Sequence, residues 1–103
     1  MTISKTQNGD QTVLTLSGRL DTTTAPKLQE ALIPEFDAAK TVTLDFAELA
    51  YISSAGLRIL LMGEKAAKLK TGKQVLVNVP AEIMEVFEMT GFSGILTIKQ
   101  QEE

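Results

Sequence analysis

Residues 41–79 read TVTLDFAELAYISSAGLRILLMGEKAAKLKTGKQVLVNV, and the changes of rhythm along them decide the fold. Residues 41–46 alternate apolar and polar side chains, the period of two that marks a half-buried strand. From Ser54 to about residue 69 the apolar residues recur every three or four positions, the period of a helix. Thr71-Gly72 stops that helix, and residues 73–79, with Val75, Val77 and Val79, return to a period of two. Strand, helix and strand in this order predict a parallel βαβ unit with a right-handed crossover. Residues 47–52 are expected to connect the first strand to the helix, ending in Tyr51-Ile52.

Working outward, residues 2–7 alternate weakly and reach Asn8-Gly9-Asp10, a hairpin signal. Residues 11–17 alternate well, with Val13 and Thr15 on one face and Leu14 and Leu16 on the other. That strand closes at Leu20-Asp21. Thr22-Thr23-Thr24 followed by Ala25-Pro26 predict a helix start with a threonine N-cap, and Leu28, Leu32, Ile33 and Phe36 give its apolar stripe. On the other side, Pro80 opens a third helix carrying Ile83, Val86 and Phe87, with Gly91 as its C-cap. Residues 95–98 predict a last short strand, and from Gln100 the chain is polar. The expected fold class is α/β. One domain over residues 1–103 is expected to hold a mixed sheet of about five strands, an opening hairpin and then parallel βαβ units, with about three helices.

Composition narrows the function. The chain has 103 residues, 44% hydrophobic and 22% charged, enough for one self-sufficient core. It has no cysteine and no histidine, which removes thiolate metal sites, disulfides, the Ser-His-Asp triad and the commonest general base. Ten basic and thirteen acidic residues give a net charge of -3, opposite to what a nucleic-acid binder needs. No apolar run approaches the roughly 20 residues that span a bilayer, and the N-terminus has no charged n-region before an apolar stretch. A cytoplasmic protein that is not an enzyme, with no cofactor and no metal, is expected.

Ser53-Ser54-Ala55-Gly56-Leu57 is the centre of interest. Serine at a helix start has an ordinary explanation, because its hydroxyl can accept from a free backbone N–H. The same geometry also suits a modification switch. A hydroxyl there is exposed on a rigid element, and a phosphate on it is tolerated by the amides and dipole of its own helix. A nucleophilic serine would need a base, and the segment lacks the G-x-S-x-G elbow. No phosphate-binding glycine loop is present. On the helix, Gly56, Ile59, Leu60, Gly63, Ala66 and Ala67 share one arc suited to lying close on a sheet. Arg58, Glu64, Lys65 and Lys68 are expected on a solvated arc, into which Leu57 and Leu61 also project as a candidate docking pair. Asp21 is expected near Ser54 on the same sheet edge, and either a turn role or an influence on the hydroxyl fits it. Asp45 is expected to point away from the core or to close its strand.

Ile52-Ser53-Ser54-Ala55-Gly56-Leu57, followed by an apolar helix, resembles the phosphorylation segment of the STAS-domain anti-sigma-factor antagonists, commonly Asp-Ser-Ser/Thr-Gly-Leu. Matching on Gly56-Leu57 places the family's phosphoserine at Ser54, its aspartate at Ser53 and a non-hydroxyl residue at Ala55. Gly18-Arg19-Leu20-Asp21 with Thr24-Ala25 resembles the family's Gly-x-Leu-Asp-x-x-Thr-Ala. Phe87-Glu88-Met89-Thr90-Gly91-Phe92 resembles its later helix end. The family's usual terminal helix is expected to be absent or very short.

The resemblance implies a partner-switching cycle. The unphosphorylated protein binds an anti-sigma factor that is also a serine kinase, which frees the sigma factor. Phosphorylation releases the antagonist, and a serine phosphatase resets it. Ser54 is then the expected phosphorylation site, and Asp21, Thr22, Thr24, Ser53, Gly56, Leu57 and Leu61 are the expected partner-binding residues. A monomer or weak dimer is expected. The alternative is a structural STAS subunit of a transporter or lipid-transport complex.

Overall fold

The computed structural model describes residues 1–99. Strands β1 (Thr2–Asn8) and β2 (Gln11–Leu20) form an antiparallel hairpin in which Asn8 pairs with Gln11. The two central turn residues are Gly9 and Asp10, and Gly9 has φ +66°. Positive φ at the first central position is what a type II′ hairpin turn demands and glycine supplies without strain. Helix α1 (Ala25–Leu32) runs on into a 3-10 segment, Ile33–Asp37, and leads to β3 (Thr41–Ile52). Helix α2 (Ser54–Leu69), β4 (Lys73–Val77), helix α3 (Ala81–Thr90) and the two-residue β5 (Ile98–Lys99) complete the described chain. Gly91 ends α3 at φ +83°, the left-handed cap foreseen for it. The polar stretch from Gln100 and the question of a terminal helix lie outside the described residues.

The sheet runs β1-β2-β3-β4-β5, in sequence order, with β1–β2 antiparallel and the other pairs parallel. Successive crossovers of one hand along a sheet built in one direction put every helix on the same face. The contacts bear this out. Phe46 of β3 meets Phe87 of α3 with ring centroids 6.2 Å apart, and Gly63 of α2 lies against both Gln74 of β4 and Leu32 of α1. Leu14, Leu16, Val42, Leu44, Phe46 and Leu76 are buried beneath that helical layer. Val13, Thr15, Thr43, Val75 and Val77 face the other way and are only half-buried. In β4 the inward positions are therefore Gln74 and Leu76, not the valines.

The largest departure from the sequence reading is the length of β3. Residues 47–52 continue the strand instead of forming a connection. Thr15 pairs with Asp45 but Ser17 with Glu48, and Gly18 pairs with Leu49 but Arg19 with Tyr51. Each step inserts one extra residue into β3, so its buried residues Phe46, Leu49 and Ile52 fall three apart. Two bulges thus hide a strand from a search for period two. Asp45 sits where β4 ends. Its Oδ1 accepts from the Ala47 amide at 3.0 Å and from Asn78 Nδ2 at 3.1 Å.

Candidate functional site

The two bulges carry β3 past the end of β4 and deliver the chain to α2 beside the end of β2. Leu20 pairs with Ile52, and the Ser53 amide donates to the Leu20 carbonyl at 2.9 Å. The ends of β2 and β3, the start of α1 and the start of α2 therefore share one edge, and Asp21 and Ser54 both lie on it. Thr22, Pro26, Gln29, Ser54, Arg58 and Met62 border a surface hollow of about 470 Å³ between α1 and α2. Ser54 is exposed at its rim.

The ordinary explanation for the serine pair fails on inspection. Ser53 holds the N-cap position with extended backbone, φ -104° and ψ 176°, but its side chain makes no capping hydrogen bond. Its Oγ is buried and has no hydrogen-bond partner among the described residues. The helix start is instead anchored through the backbone, with the Leu57 amide donating to the Ser53 carbonyl at 3.0 Å.

Asp21 has a full set of local partners. Its Oδ1 accepts from the Thr23 hydroxyl at 2.8 Å and from the Thr23 and Thr24 amides at 3.1 and 3.2 Å. Its Oδ2 lies 3.8 Å from Arg19 Nε. The Thr23 hydroxyl, helped by those amides and opposed by desolvation, holds the carboxyl below the usual aspartate range. These contacts give Asp21 the turn role. Thr24 is corrected in the same way. Its hydroxyl does not cap α1 but turns back to the Arg19 carbonyl at 2.8 Å and receives the Asp21 amide at 2.8 Å. Thr22 is exposed beside the hollow.

Gly56 and Leu57 are packing residues. A Cβ on Gly56 would come within 2.7 Å of Leu20 Cγ and 2.9 Å of Ile52 Cγ1. Leu57 is only 7% exposed and belongs to the core, so it does not project into solvent. The covered arc of α2 is wider than one sheet face, and on the side away from the α1–α2 hollow it takes in Leu57 and Glu64, the latter beside Gln74 of β4. Glu64 is buried for the same reason, at 8% exposure, contrary to its expected place on the solvated arc. Desolvation pushes its carboxyl above the usual glutamate range, against the pull of Lys68 and Gln74. Leu61 is half-buried, whereas Arg58, Lys65 and Lys68 are exposed.

Sequence reasoning missed Arg58, which borders the same hollow as Ser54 one helical turn later. The spacing of four was a usable signal. It also missed the α1 wall, Pro26 and Gln29, whose neighbourhood depends on how two helices meet. Arg19, passed over as an unspecified motif position, stacks on Tyr51 with its guanidinium carbon 4.1 Å from the ring centroid.

A family model described as Mlab, STAS domain, matches residues 3–97. The chain belongs to the STAS-domain, anti-sigma-factor-antagonist family. This STAS domain is 35% identical over 89 residues to BtrV of Bordetella bronchiseptica, provisionally named an anti-sigma factor antagonist, covering 85% of this chain and 77% of that one. It is 29% identical over 99 residues to the anti-sigma-B factor antagonist of Listeria monocytogenes, covering 95% and 87%. Its fold matches SpoIIAA, a Bacillus cell fate determinant solved in its phosphorylated form, with a TM-score of 0.78 at 18% identity over 99% of this chain and 93% of that one. Among the described residues, no helix of this STAS domain is long and apolar enough to cross a membrane.

Proposed function

We propose that this STAS domain is a cytoplasmic anti-sigma factor antagonist that works by partner switching at Ser54. Unphosphorylated, it binds an anti-sigma factor carrying serine-kinase activity, and the sigma factor is freed. The kinase moves the γ-phosphoryl group of ATP to Ser54 Oγ; ADP leaves, and the hydroxyl proton goes to a base on the kinase. The modified antagonist is released. A serine phosphatase hydrolyses the ester to serine and inorganic phosphate.

The reading is carried by the placement of Ser54: an exposed hydroxyl on the first turn of a packed helix, at the rim of a hollow shared with Thr22 and Arg58. It is supported by relatives named as antagonists and by a fold neighbour solved in a phosphorylated form. Ser54, Thr22 and the half-buried Leu61 form the accessible part of the partner surface. Asp21, Thr24, Ser53, Gly56 and Leu57 act on it from beneath, through the turn and packing that hold its shape.

Incubation with the cognate kinase and ATP should add one phosphate, located at Ser54 by peptide mass spectrometry. Ser54→Ala should abolish it, and Ser53→Ala should leave much of it. Phosphate found only on Ser53 would overturn the assignment. A protein that its kinase candidates leave unmodified, and that co-purifies with a transporter, would return the argument to the structural-subunit alternative.

A further inference from the structure

The chain contains two arginines, Arg19 and Arg58, and both lie near the Ser54 edge. Arg19 is engaged: it stacks on Tyr51 and sits 3.8 Å from Asp21. Lys27 of α1 is engaged too, with its Nζ donating to the Met1 carbonyl at 3.0 Å. Arg58 differs. It is exposed, borders the hollow together with Ser54, and makes no ion pair or side-chain hydrogen bond among the described residues.

Its position in α2 fixes what it can reach. Residues four apart stand one above the other on a helix face, about 6 Å apart along the axis. Side chains lean toward the N-terminus of their helix, so Arg58 leans toward the turn that carries Ser54. An acidic group N-terminal to a basic one at this spacing is the favourable order. Guanidinium also meets phosphate with two parallel N–H donors, which an ammonium cannot do.

We propose that Arg58 is the receiver of the Ser54 phosphate: once the serine is modified, the guanidinium pairs with the phosphate across the rim of the α1–α2 hollow. The pairing holds the phosphate on its own protein in one place and takes away the free guanidinium that a partner would meet there. It makes the modified state a defined closed surface instead of an added mobile charge. Arg58 is thus a positioning residue of the switch, acting through the phosphate.

This rests on Ser54 as the modified residue, but its test needs no kinase. Phosphoserine is incorporated at position 54 during synthesis, and the second ionisation of the phosphate is followed by phosphorus NMR in the parent, Arg58→Gln and Arg58→Lys. The nearby guanidinium should lower that ionisation by roughly half a unit relative to Arg58→Gln. Arg58→Lys should keep part of the shift, and 1 M salt should shrink it in the parent. Melting curves of all three unmodified proteins should coincide, because Arg58 is exposed. A phosphate that titrates alike in parent and Arg58→Gln overturns the proposal. That result would leave Ser54 phosphorylation standing, whereas absence of kinase action at Ser54 would leave the pairing itself measurable.

Discussion

The two ends of α2 are built on opposite principles. Around Gly63 the helix is locked: a Cβ there would collide with Gln74 Oε1 and come within 2.9 Å of Leu32 Cδ2, while Gln74 Nε2 donates to the Leu60 carbonyl at 3.0 Å. Around Ser54 the helix is packed from beneath through Gly56 and Leu57 but its outer side chains are open: Ser54 is exposed, and among the described residues Ser53 Oγ has no partner and Arg58 no ion pair. One helix thus combines a fixed foot with a chemically open head. Charge can be added at the head while the foot keeps the helix in place.

The largest effect that tests this contrast is on binding. A phosphate on Ser54 adds roughly -1.5 to -2 charges, and a partner surface shaped for a hydroxyl should bind the modified protein more weakly by about 2–5 kcal/mol. The melting temperature should barely move. Calorimetric titration against the kinase partner, paired with melting curves, reads both. Retained affinity with a collapsed melting temperature would mean that the switch is conformational.

Gly63→Ala should show the reverse pattern. Displacing Gln74 overpacks the helix–sheet seam and breaks its bond to Leu60, which outweighs the gain in helix propensity and leaves a net loss of about 2–3 kcal/mol. Urea unfolding measures it. Adding Gln74→Ala to Gly63→Ala should return part of the loss, because the clash is mainly with that side chain. A Gly63→Ala protein as stable as its parent would dissolve the distinction between the two ends.

Leu61→Lys falls between them. Leu61 is half-buried, so the change should cost about 1 kcal/mol of stability and also weaken partner binding, by about tenfold for a contact worth more than 1 kcal/mol. An effect on stability alone would remove Leu61 from the partner surface.

The smallest effects lie in the pH dependence, where the two ends differ in sign. The Glu64 carboxyl is pushed up by burial, so the native state binds its proton more readily than the unfolded chain does. Stability from this group is present at low pH and is lost as pH rises from the ordinary glutamate range through the raised value. Glu64→Gln should flatten that slope. Asp21, beside the head, is held down by the Thr23 hydroxyl, so its contribution is present above the ordinary aspartate range and lost as pH falls through the lowered value. Asp21→Asn should flatten the acid limb. Denaturant titrations across pH separate the two, and equal slopes in parent and Glu64→Gln would show that the buried carboxyl has no raised ionisation.

The order of the elements, the hairpin at Gly9, the boundaries of α2 and the place of Ser54 were all legible in the sequence, because each rests on local spacing or on a turn residue. The far half of β3 was not. Bulges opposite Ser17 and Arg19 changed its apolar spacing from two to three, and no local rule places a bulge. Leu57 and Glu64 were assigned to solvent by counting one covered face, whereas the covering of that flank of α2 is set by tertiary packing. Gln74 was passed over because a glutamine between lysine and valine reads as surface. Its burial makes sense only with Gly63 above it, and the recurrence of glycine at 56 and 63 was the clue that something must come close.

The strand order has a consequence for synthesis. Each strand lies beside the one made just before it, so no later strand must be threaded between two already paired. Every pairing joins neighbours along the chain, which keeps the loops to be closed short for a largely parallel sheet. As the chain leaves the ribosome, the sheet can grow one edge at a time. The head of α2 then emerges only after β2 and β3 have made the edge on which it will stand.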